Sequence, residues 1–443
     1  MNELEENQQT VKKSGFGRGL IFGVIAGLSI AILAGVVLLN VFYHKGFVHI
    51  GVNGEIYVQD TATTEDEGIG SEVEAKLNAM DSLMDLFYME DVDTDTAKEM
   101  IYKAYLASYG DKYTVYYTPD EYQSLVESTT GKFYGIGAVC QKSDDGAVLV
   151  IDAYEDAPAY AAGLRNGDKI TTVDGTDITD MDLSSAVALI KGEKGTSVHL
   201  DAVRDDAAFS VDVVRDEIKA QTVEYEMREN QIGYLSVSQF EDVTTQQYKD
   251  ALQVLEDEGM QGLVIDLRDN PGGVVDACVK MAAYLLPEDQ YDGTILSTAD
   301  KNGEGDRYYC QDGKLLFEGS GSNPEYPMDD GHELNMPIAV LINGMSASAS
   351  EVFAGALRDY GMATLVGTTS FGKGIVQSIL PFNDGSAIKI TVSRYFTPRG
   401  TCIHGEGITP DVEVELNEEL KTKLTIEKSE DNQLQKAIEN VKE

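Results

Sequence analysis

The sequence predicts an α/β protein with a β-rich module, an N-terminal helical region and a single transmembrane helix. Three observations predict this organisation. A charge-free apolar run fills residues 20–42, short strand patterns dominate residues 131–215, and apolar strands alternate with amphipathic helices across residues 216–415. The 443 residues are enough for two or three domains, each with its own core.

The run from Leu20 to Phe42 is the first element. At about 1.5 Å per helical residue it can cross a bilayer core of roughly 30 Å. It is too long for the apolar core of a cleaved signal peptide, about 7 to 15 residues, so we expect an uncleaved anchor. Three cations precede the run and one closely follows it: Lys12, Lys13 and Arg18, then Lys45. This bias predicts a single-pass protein of the cell membrane, with residues 1–19 cytoplasmic and the bulk of the chain extracytoplasmic.

Composition limits the partners and cofactors. Lys and Arg number 34 and Asp and Glu 76, so the net charge is −42 and nucleic acid is not an expected partner. The cysteines Cys140, Cys278, Cys310 and Cys402 lack CxxC spacing, so we expect neither a metal site nor a cofactor. A disulfide between Cys310 and Cys402 remains open at this point.

The part between the membrane run and the core has three segments. Residues 43–71 are polar and acidic and predict a linker. Residues 72–130 carry apolar side chains at helical spacing, as in Leu77, Met80, Leu83, Met84 and Phe87, and predict helices. Residues 131–215 alternate as short strands, with one clear helix at 182–191.

Residues 216–415 follow a strand, helix, strand rhythm that predicts an α/β core. Continuous apolar runs at 263–265 and 338–342 suit strands buried on both faces. Helices are predicted at 245–258, 274–286 and 349–360. The polar stretch 297–335 is expected to leave the core, as an overhang of the site or as a surface hairpin. Residues 416–443 predict a charged tether and a short helix at 431–441.

Residues 341–351 read LINGMSASASE, with Ser346, Ser348 and Ser350 at alternate positions where a strand pattern changes to a helix. Ser348 stands three residues before Glu351, the spacing of a capping box. The same position suits a nucleophile, because free amides and the positive end of the helix dipole stabilise an oxyanion there. Both interpretations of Ser348, cap and nucleophile, remain open at this point.

A serine nucleophile needs a base, and the five histidines form neither a conventional triad nor a zinc-protease motif. Lys373 follows an apolar strand in the segment SFGKG, whose glycines allow close backbone approach. Because a free lysine has a pKa of about 10.4, it must be desolvated to act as a base near neutral pH. Gln377, four residues on, has an amide that can hold the amine in line. The alternatives are a surface charge at Lys373 and an exposed strand position at Gln377.

The segment Asp266–Gly273, DLRDNPGG, ends one strand and opens the next helix. In the simplest interpretation it is only an Asn-Pro-Gly-Gly turn. As part of a site, Gly272 and Gly273 offer unhindered backbone N–H groups. With the amide of Ala349, these groups would form an oxyanion hole.

Taken in order, these motifs resemble a known family. DLRDNPGG precedes SASASE, AGALRD and SFGKGIVQ, and SRYFTPRG and GEGITPDVEV follow. The set resembles the carboxyl-terminal processing proteases, also called tail-specific proteases, from about residue 72 to the C-terminus. The resemblance implies that Ser348 is the nucleophile, Lys373 the general base and Gln377 the residue that orients the lysine. It also implies a crotonase-like protease core and a PDZ domain at 131–215.

A PDZ domain captures a terminal carboxylate with successive loop amides and adds the peptide to a strand edge. The segment FYGIGAV resembles that loop and strand, and the helix at 182–191 would line a pocket for an apolar last side chain. The residues predicted to bind the peptide are Gly135, Ile136, Gly137, Ala138, Val139, Val187 and Ile190.

The sequence therefore predicts a membrane-anchored serine endopeptidase that uses a Ser-Lys dyad on proteins or peptides with free C-termini. It needs no metal or cofactor. A catalytically inactive PDZ adaptor at the membrane is the alternative. A crotonase-like acyl-CoA enzyme would explain the core but neither the anchor nor Lys373. The resemblance and the amphipathic helices at both ends of the chain make a homodimer a candidate assembly.

Overall fold

The computed structural model describes residues 48–50, 56–58, 69–286, 293–311, 314–319, 325–327, 334–423 and 426–442. The predicted transmembrane run lies outside these ranges. None of the helices that the ranges include is both long enough and apolar enough to cross a membrane. The chain divides into two compact units, residues 1–97 and 98–443, and the β-rich module and the core both belong to the second.

The N-terminal segments contain both helices and short strands. Residues 72–130 are not all helical: a strand interrupts them because the segment TVYY is β-branched and aromatic, and it pairs with residues 387–389. A short hairpin also falls within the predicted linker. The elements are β1 (Val48–Ile50), β2 (Ile56–Val58), α1 (Ile69–Phe87), α2 (Thr94–Ala107), β3 (Val115–Tyr117) and α3 (Pro119–Thr130).

The β-rich module follows the predicted strand pattern. Its elements are β4 (Lys132–Gly135), β5 (Ala138–Lys142), β6 (Val148–Ala153), α4 (Pro158–Ala161), β7 (Lys169–Val173), β8 (Thr176–Asp177), α5 (Leu183–Ile190), β9 (Ser197–Arg204), β10 (Ala207–Val214) and β11 (Asp216–Lys219). The sheet order β10-β9-β7-β6-β5 leaves β5 at an edge, and β4 pairs separately with β11. Fully buried apolar side chains, such as Val148, Ile170 and Leu200, give the module its own core.

The core that follows confirms the α/β prediction. Its elements are β12 (Val223–Arg228), β13 (Ile232–Val237), α6 (Thr244–Asp257), β14 (Gly262–Asp266), α7 (Val275–Leu285), β15 (Thr294–Ala299), β16 (Arg307–Gln311), β17 (Lys314–Glu318), β18 (Glu325–Pro327), β19 (Ile338–Ile342), α8 (Ala349–Asp359), β20 (Thr364–Gly367), β21 (Ile375–Pro381), β22 (Ala387–Phe396), β23 (Val412–Glu413) and α9 (Asn432–Asn440). The three large helices, α6 to α8, match their predicted bounds to within one residue.

One sheet has the order β12-β13-β14-β19-β20-β23, and β13, β14, β19 and β20 run parallel. Side chains of one face pack with α6, α7 and α8, and those of the other face pack with α9. Burial on both faces explains the continuous apolar runs of these strands. Their carboxyl ends meet at one edge of the sheet.

The second sheet corrects the interpretation of residues 297–335. The described strands of this region are not an isolated surface hairpin, because β15 to β18 join β22 and β21 in one sheet, with β3 beside β22. Polar side chains alternate with aromatic ones in this region. This alternation is usual for a sheet that packs on a core with only one of its faces, and it made the region look polar in the sequence. The four cysteines are free thiols, so the bridge between Cys310 and Cys402 is not formed.

Candidate active site

The loops that carry the predicted catalytic residues leave the same edge of the parallel sheet. They follow β14, β19 and β20, whose carboxyl ends lie side by side. Ligand sites in open α/β sheets form at this edge. The topology therefore brings DLRDNPGG, NGMSAS and SFGKG together from three distant parts of the chain.

Two of the three serines are used to build the loops. Ser346 and Ser350 are fully buried. The Ser346 hydroxyl donates to the carbonyl of Leu267 at 2.7 Å and the Ser350 hydroxyl to that of Asn270 at 2.9 Å. Ser348 is only partly buried and lies at the N-terminus of α8, with φ 56° and ψ −115°. This conformation is unfavourable for a residue with a Cβ, and such strain concentrates at functional sites.

Glu351 connects the loop that carries Ser348 to residues 370–374, which carry Lys373 and are called the lysine loop below. Its carboxylate is 1% exposed, and the predicted capping box with Ser348 is present. Oxygen Oε2 accepts from the backbone N–H of Ser348 at 2.8 Å and from that of Lys373 at 2.9 Å. Oxygen Oε1 accepts from Gly372 N at 2.7 Å and from the Ser370 hydroxyl at 2.5 Å. One atom therefore fixes the backbones of both predicted catalytic residues.

The glycines of SFGKG allow the loop to pack closely. Gly372 has φ 85°, and a Cβ there would lie 2.9 Å from the backbone nitrogen of Gly407. A Cβ at Gly374 would lie 2.6 Å from the nitrogen of His404. Substitution at either position would thus push the lysine loop away from the loop at 404–407.

Lys373 is in the environment that a neutral amine needs. Burial lowers the pKa of its amine, and the positive charges of Lys389 and Lys112 lower it further, against an opposing effect of Glu351. The ring centroid of Tyr113 lies 5.0 Å from Nζ. This arrangement favours deprotonation at a lower pH than for an exposed lysine.

Gln377 lies in β21, where a bulge separates it from Val376, and it faces Thr391 of β22. Its amide nitrogen is buried and has no hydrogen-bond partner among the described residues. No hydrogen bond joins Gln377 to Lys373 in the part of the chain that the structure describes. The predicted orienting contact is therefore not formed in this conformation.

The predicted oxyanion donors differ in availability. Gly272 packs against the nucleophile, because a Cβ there would lie 2.8 Å from that of Ser348. However, its N–H donates to the Asn270 side chain at 2.9 Å. Gly273 and Ala349 donate no backbone hydrogen bond within the described ranges. These two N–H groups remain available to a substrate oxygen.

Two residues that the sequence did not single out also hold the site. The Tyr395 hydroxyl donates to the carbonyl of Ser348 at 3.1 Å. Fully buried Asn270 accepts from Gly272 N, and its amide donates to the carbonyl of Val237 at 2.8 Å. The Asn of the Asn-Pro-Gly-Gly segment signals a turn in the sequence. Tyr395 lies in the segment SRYF, where nothing local indicates its contact with Ser348, 47 residues away.

The predicted peptide-binding residues of the module lie around β5 and α5. Ile136 and Ile190 are buried in its core, Val187 is half-buried, and Val139 is 43% exposed on the edge strand. The carbonyl of Ile136 accepts a hydrogen bond from the backbone N–H of Ala159, and the carbonyl of Gly137 accepts one from that of Tyr154. These bonds shape the loop between Gly135 and Ala138. The unpaired edge of β5 can accept an added strand.

Metal ligation is the remaining chemistry to consider. Among the described residues, no three His, Cys, Asp or Glu side chains are grouped to hold a metal ion. The donors at the site are a hydroxyl, an amine and backbone amides. That set suits acyl transfer.

Comparison with known proteins gives the following matches. The family model of peptidase family S41 matches residues 231–414, and that of a PDZ domain matches residues 149–204. The chain is 36% identical over 304 residues to a probable CtpA-like serine protease of Staphylococcus haemolyticus. That match covers 69% of this chain but only 57% of the relative.

The chain is also 32% identical over 365 residues to the carboxy-terminal processing protease CtpA of Bacillus subtilis, covering 82% of this chain and 72% of that one. A solved structure, the photosystem II D1 C-terminal processing protease, is 27% identical with a TM-score of 0.42. The match covers 77% of this chain and 86% of that one.

Proposed function

Because this chain belongs to peptidase family S41, among the carboxy-terminal processing serine proteases, we propose that it cleaves peptide bonds with Ser348 as nucleophile and Lys373 as general base. The observation that carries the proposal is the shared acceptor at Glu351, which holds both backbones on one oxygen. The accessibility of Ser348, in contrast to its two buried neighbours, supports the choice of nucleophile.

The proposed reaction needs only groups of this chain. Neutral Lys373 takes the proton of the Ser348 hydroxyl while its oxygen attacks the peptide carbonyl. The N–H groups of Gly273 and Ala349 stabilise the oxyanion. The protonated lysine then donates to the leaving amine as the C–N bond breaks. Water next attacks the acyl-enzyme while Lys373 takes its proton, and the lysine returns that proton to the Ser348 oxygen as the ester bond breaks. Gln377 orients the amine once a substrate is bound.

Substrates are proposed to be proteins or peptides with free, extended C-termini. The PDZ-domain match and the open edge of β5 support this choice. Docking of a tail there raises its effective concentration at Ser348. Amidation of a model substrate's C-terminus is therefore expected to lower kcat/KM about tenfold. This factor corresponds to the loss of about one hydrogen bond to a charged group.

The anchor and the assembly are also proposals. The charge-free run at 20–42, preceded by Lys12, Lys13 and Arg18, supports a single-pass protein with an extracytoplasmic catalytic part. Exposed apolar side chains on α1, among them Met80, Met84 and Phe87, support a homodimer. Sedimentation of the full chain in detergent, with Met84→Glu as the disrupting variant, tests the assembly.

The test of the activity compares the three serines. Ser348→Ala is expected to abolish cleavage of a fluorogenic peptide. Ser350→Ala should lose about 1 kcal/mol of stability, and Ser346→Ala about 2 kcal/mol, because the Ser346 hydroxyl also accepts from the backbone N–H of Asn343 at 2.9 Å. Both variants should keep substantial activity. Residual cleavage by Ser348→Ala would contradict the assignment. Peptide binding by a wild-type protein that cleaves no substrate would favour the inactive adaptor instead.

A further inference from the structure

A cavity of about 1080 Å³ adjoins the lysine loop. Neither Ser348 nor Lys373 lines it. Gly372 does, and so does Tyr113, whose ring centroid lies 5.0 Å from the Lys373 amine. The cavity therefore lies beside the proposed site, on the side of the base.

Three positive side chains from separate segments line this cavity. Lys112 precedes β3, Lys301 follows β15 and Arg394 lies in β22. Within the described residues, none of the three has a carboxylate within salt-bridge distance. Lys112 lies instead over the rings of Tyr113 and Phe371, at 4.9 and 5.5 Å from their centroids.

The two carboxylates that line the cavity are already engaged. Asp111 accepts from the backbone of Tyr113 at 2.9 Å and Asp300 from that of Asn302 at 2.8 Å, each within its own turn. Several other exposed lysines of this acidic chain pair with acids, as Lys169 does with Asp145 at 2.6 Å. The lining thus carries three positive side chains against two carboxylates, a net positive charge in a protein of net charge −42.

We infer that this cavity binds carboxylate groups of the substrate segment next to the scissile bond, with Lys112, Lys301 and Arg394 as their partners. The inference rests on the proposed function, since it describes one side of the bound peptide. The cavity is linked to the site through Tyr113, which lines it and whose ring centroid lies 5.0 Å from Lys373 Nζ. Arg394 can hold a carboxylate with two parallel hydrogen bonds, which the lysines cannot.

Binding to the full-length Ser348→Ala protein tests this inference without cleavage. Four labelled peptides of one sequence are compared: Glu-rich or its Gln counterpart, each with a free or an amidated C-terminus. We expect the Glu peptide to bind about tenfold more tightly than the Gln peptide in the amidated pair, the value of one or two partly exposed ion pairs. Equal binding of the Glu and Gln peptides, with both free-acid forms favoured over the amidated ones, would assign the charge dependence to the terminal carboxylate and overturn the inference.

The double variant Lys301→Gln, Arg394→Gln should lose most of the preference for the Glu peptide. Lys436→Gln, which removes one positive charge from the surface of α9, should keep it. If the double variant does not fold, the preference of the parent protein should still decline as salt is raised from 50 to 500 mM. Equal binding of all four peptides, or a preference that survives in a folded double variant, would overturn the inference. Cleavage by the Ser348→Ala protein would instead contradict the proposed function.

Discussion

Two buried carboxylates of the core, Glu351 and Glu241, have different surroundings. Glu351 is 1% exposed and accepts four hydrogen bonds, from two backbone loops and a serine. Glu241 is 7% exposed, and its Oε2 has no hydrogen-bond partner among the described residues. It lies where the core meets the β-rich module, so close to Gly131 that a Cβ there would be 2.3 Å from Oε2.

The comparison shows that burial alone does not make a carboxylate stabilising. A buried charge stabilises an arrangement only when its hydrogen bonds are made, because desolvation otherwise costs several kcal/mol. Glu351 meets this condition and fixes the backbones of Ser348 and Lys373. Glu241 does not, and burial raises the pKa of its carboxyl to about 7. The site is thus preorganised at its centre and sensitive to pH at its junction with the module.

The largest effect is expected from Glu351→Gln. The substitution keeps the shape but places an NH₂ group against N–H donors, so the lysine loop loses its anchor. We expect kcat/KM to decrease at least about 100-fold, together with a lower Tm, since breaking a buried charged network costs about 3–5 kcal/mol. Steady-state kinetics and thermal unfolding measure both.

Glu418→Gln, at a highly exposed position, is the matched control and should change neither quantity. Near-normal turnover by Glu351→Gln would show that the two loops hold their geometry without this carboxylate. The conclusion that Glu351 preorganises the site would then be wrong.

A smaller effect is expected from Gln377→Leu. The Gln377 amide nitrogen already lacks a partner, so removing it should leave the free energy of unfolding within about 1 kcal/mol of its value. Because the proposed role of Gln377 is to orient Lys373 in the reaction, kcat should decrease about tenfold with little change in KM. Ser378→Ala, one position along the same strand, is the control. A stability loss with unchanged kcat would assign Gln377 a structural role only.

The smallest effect on activity is expected from Glu241→Gln, which acts on stability. The folded-state pKa of about 7 is above the ordinary value of 4.5, so folding takes up a proton between these values. Stability therefore decreases as pH rises from about 4.5 to 7, and the penalty is complete above 7. Glu241→Gln should remove it and gain about 1–3 kcal/mol at pH 8, with no gain at pH 4.

Asp242→Asn serves as the control, because Asp242 is the exposed neighbour. Denaturant unfolding at the two pH values provides the measurement. An equal change at pH 4 and pH 8 would mean that Glu241 does not ionise in the folded protein within this range. The contrast with Glu351 would then lose its electrostatic basis.

The sequence predicts the parts of this fold that local pattern controls. Apolar runs identified the buried strands, and helical spacing located α6 to α8 to within one residue. The capping box at Ser348 and Glu351 was readable from spacing alone. Its second role was not, because the hydrogen bonds from Gly372 and Lys373 connect residues more than 20 positions apart.

The misses have the same origin. Strand β3 escaped prediction because its partner lies about 270 residues away. The region at 297–335 looked like an excursion because a sheet with one exposed face is half polar. Which of Gly272, Gly273 and Ala349 keeps a free N–H depends on where the Asn270 side chain points, and composition does not specify that.

The central claim, that Lys373 is the base of a Ser-Lys dyad, is tested most directly by the pH dependence of kcat/KM. Burial and the charges of Lys389 and Lys112 lower the pKa of Lys373 below its ordinary value of 10.5. The base must be neutral, so kcat/KM of the wild-type enzyme should rise with pH through that lowered pKa and then level off. Lys373→Arg, which stays charged, should be inactive throughout. Near-normal activity of Lys373→Arg, or a wild-type rate that does not rise with pH, would contradict the account.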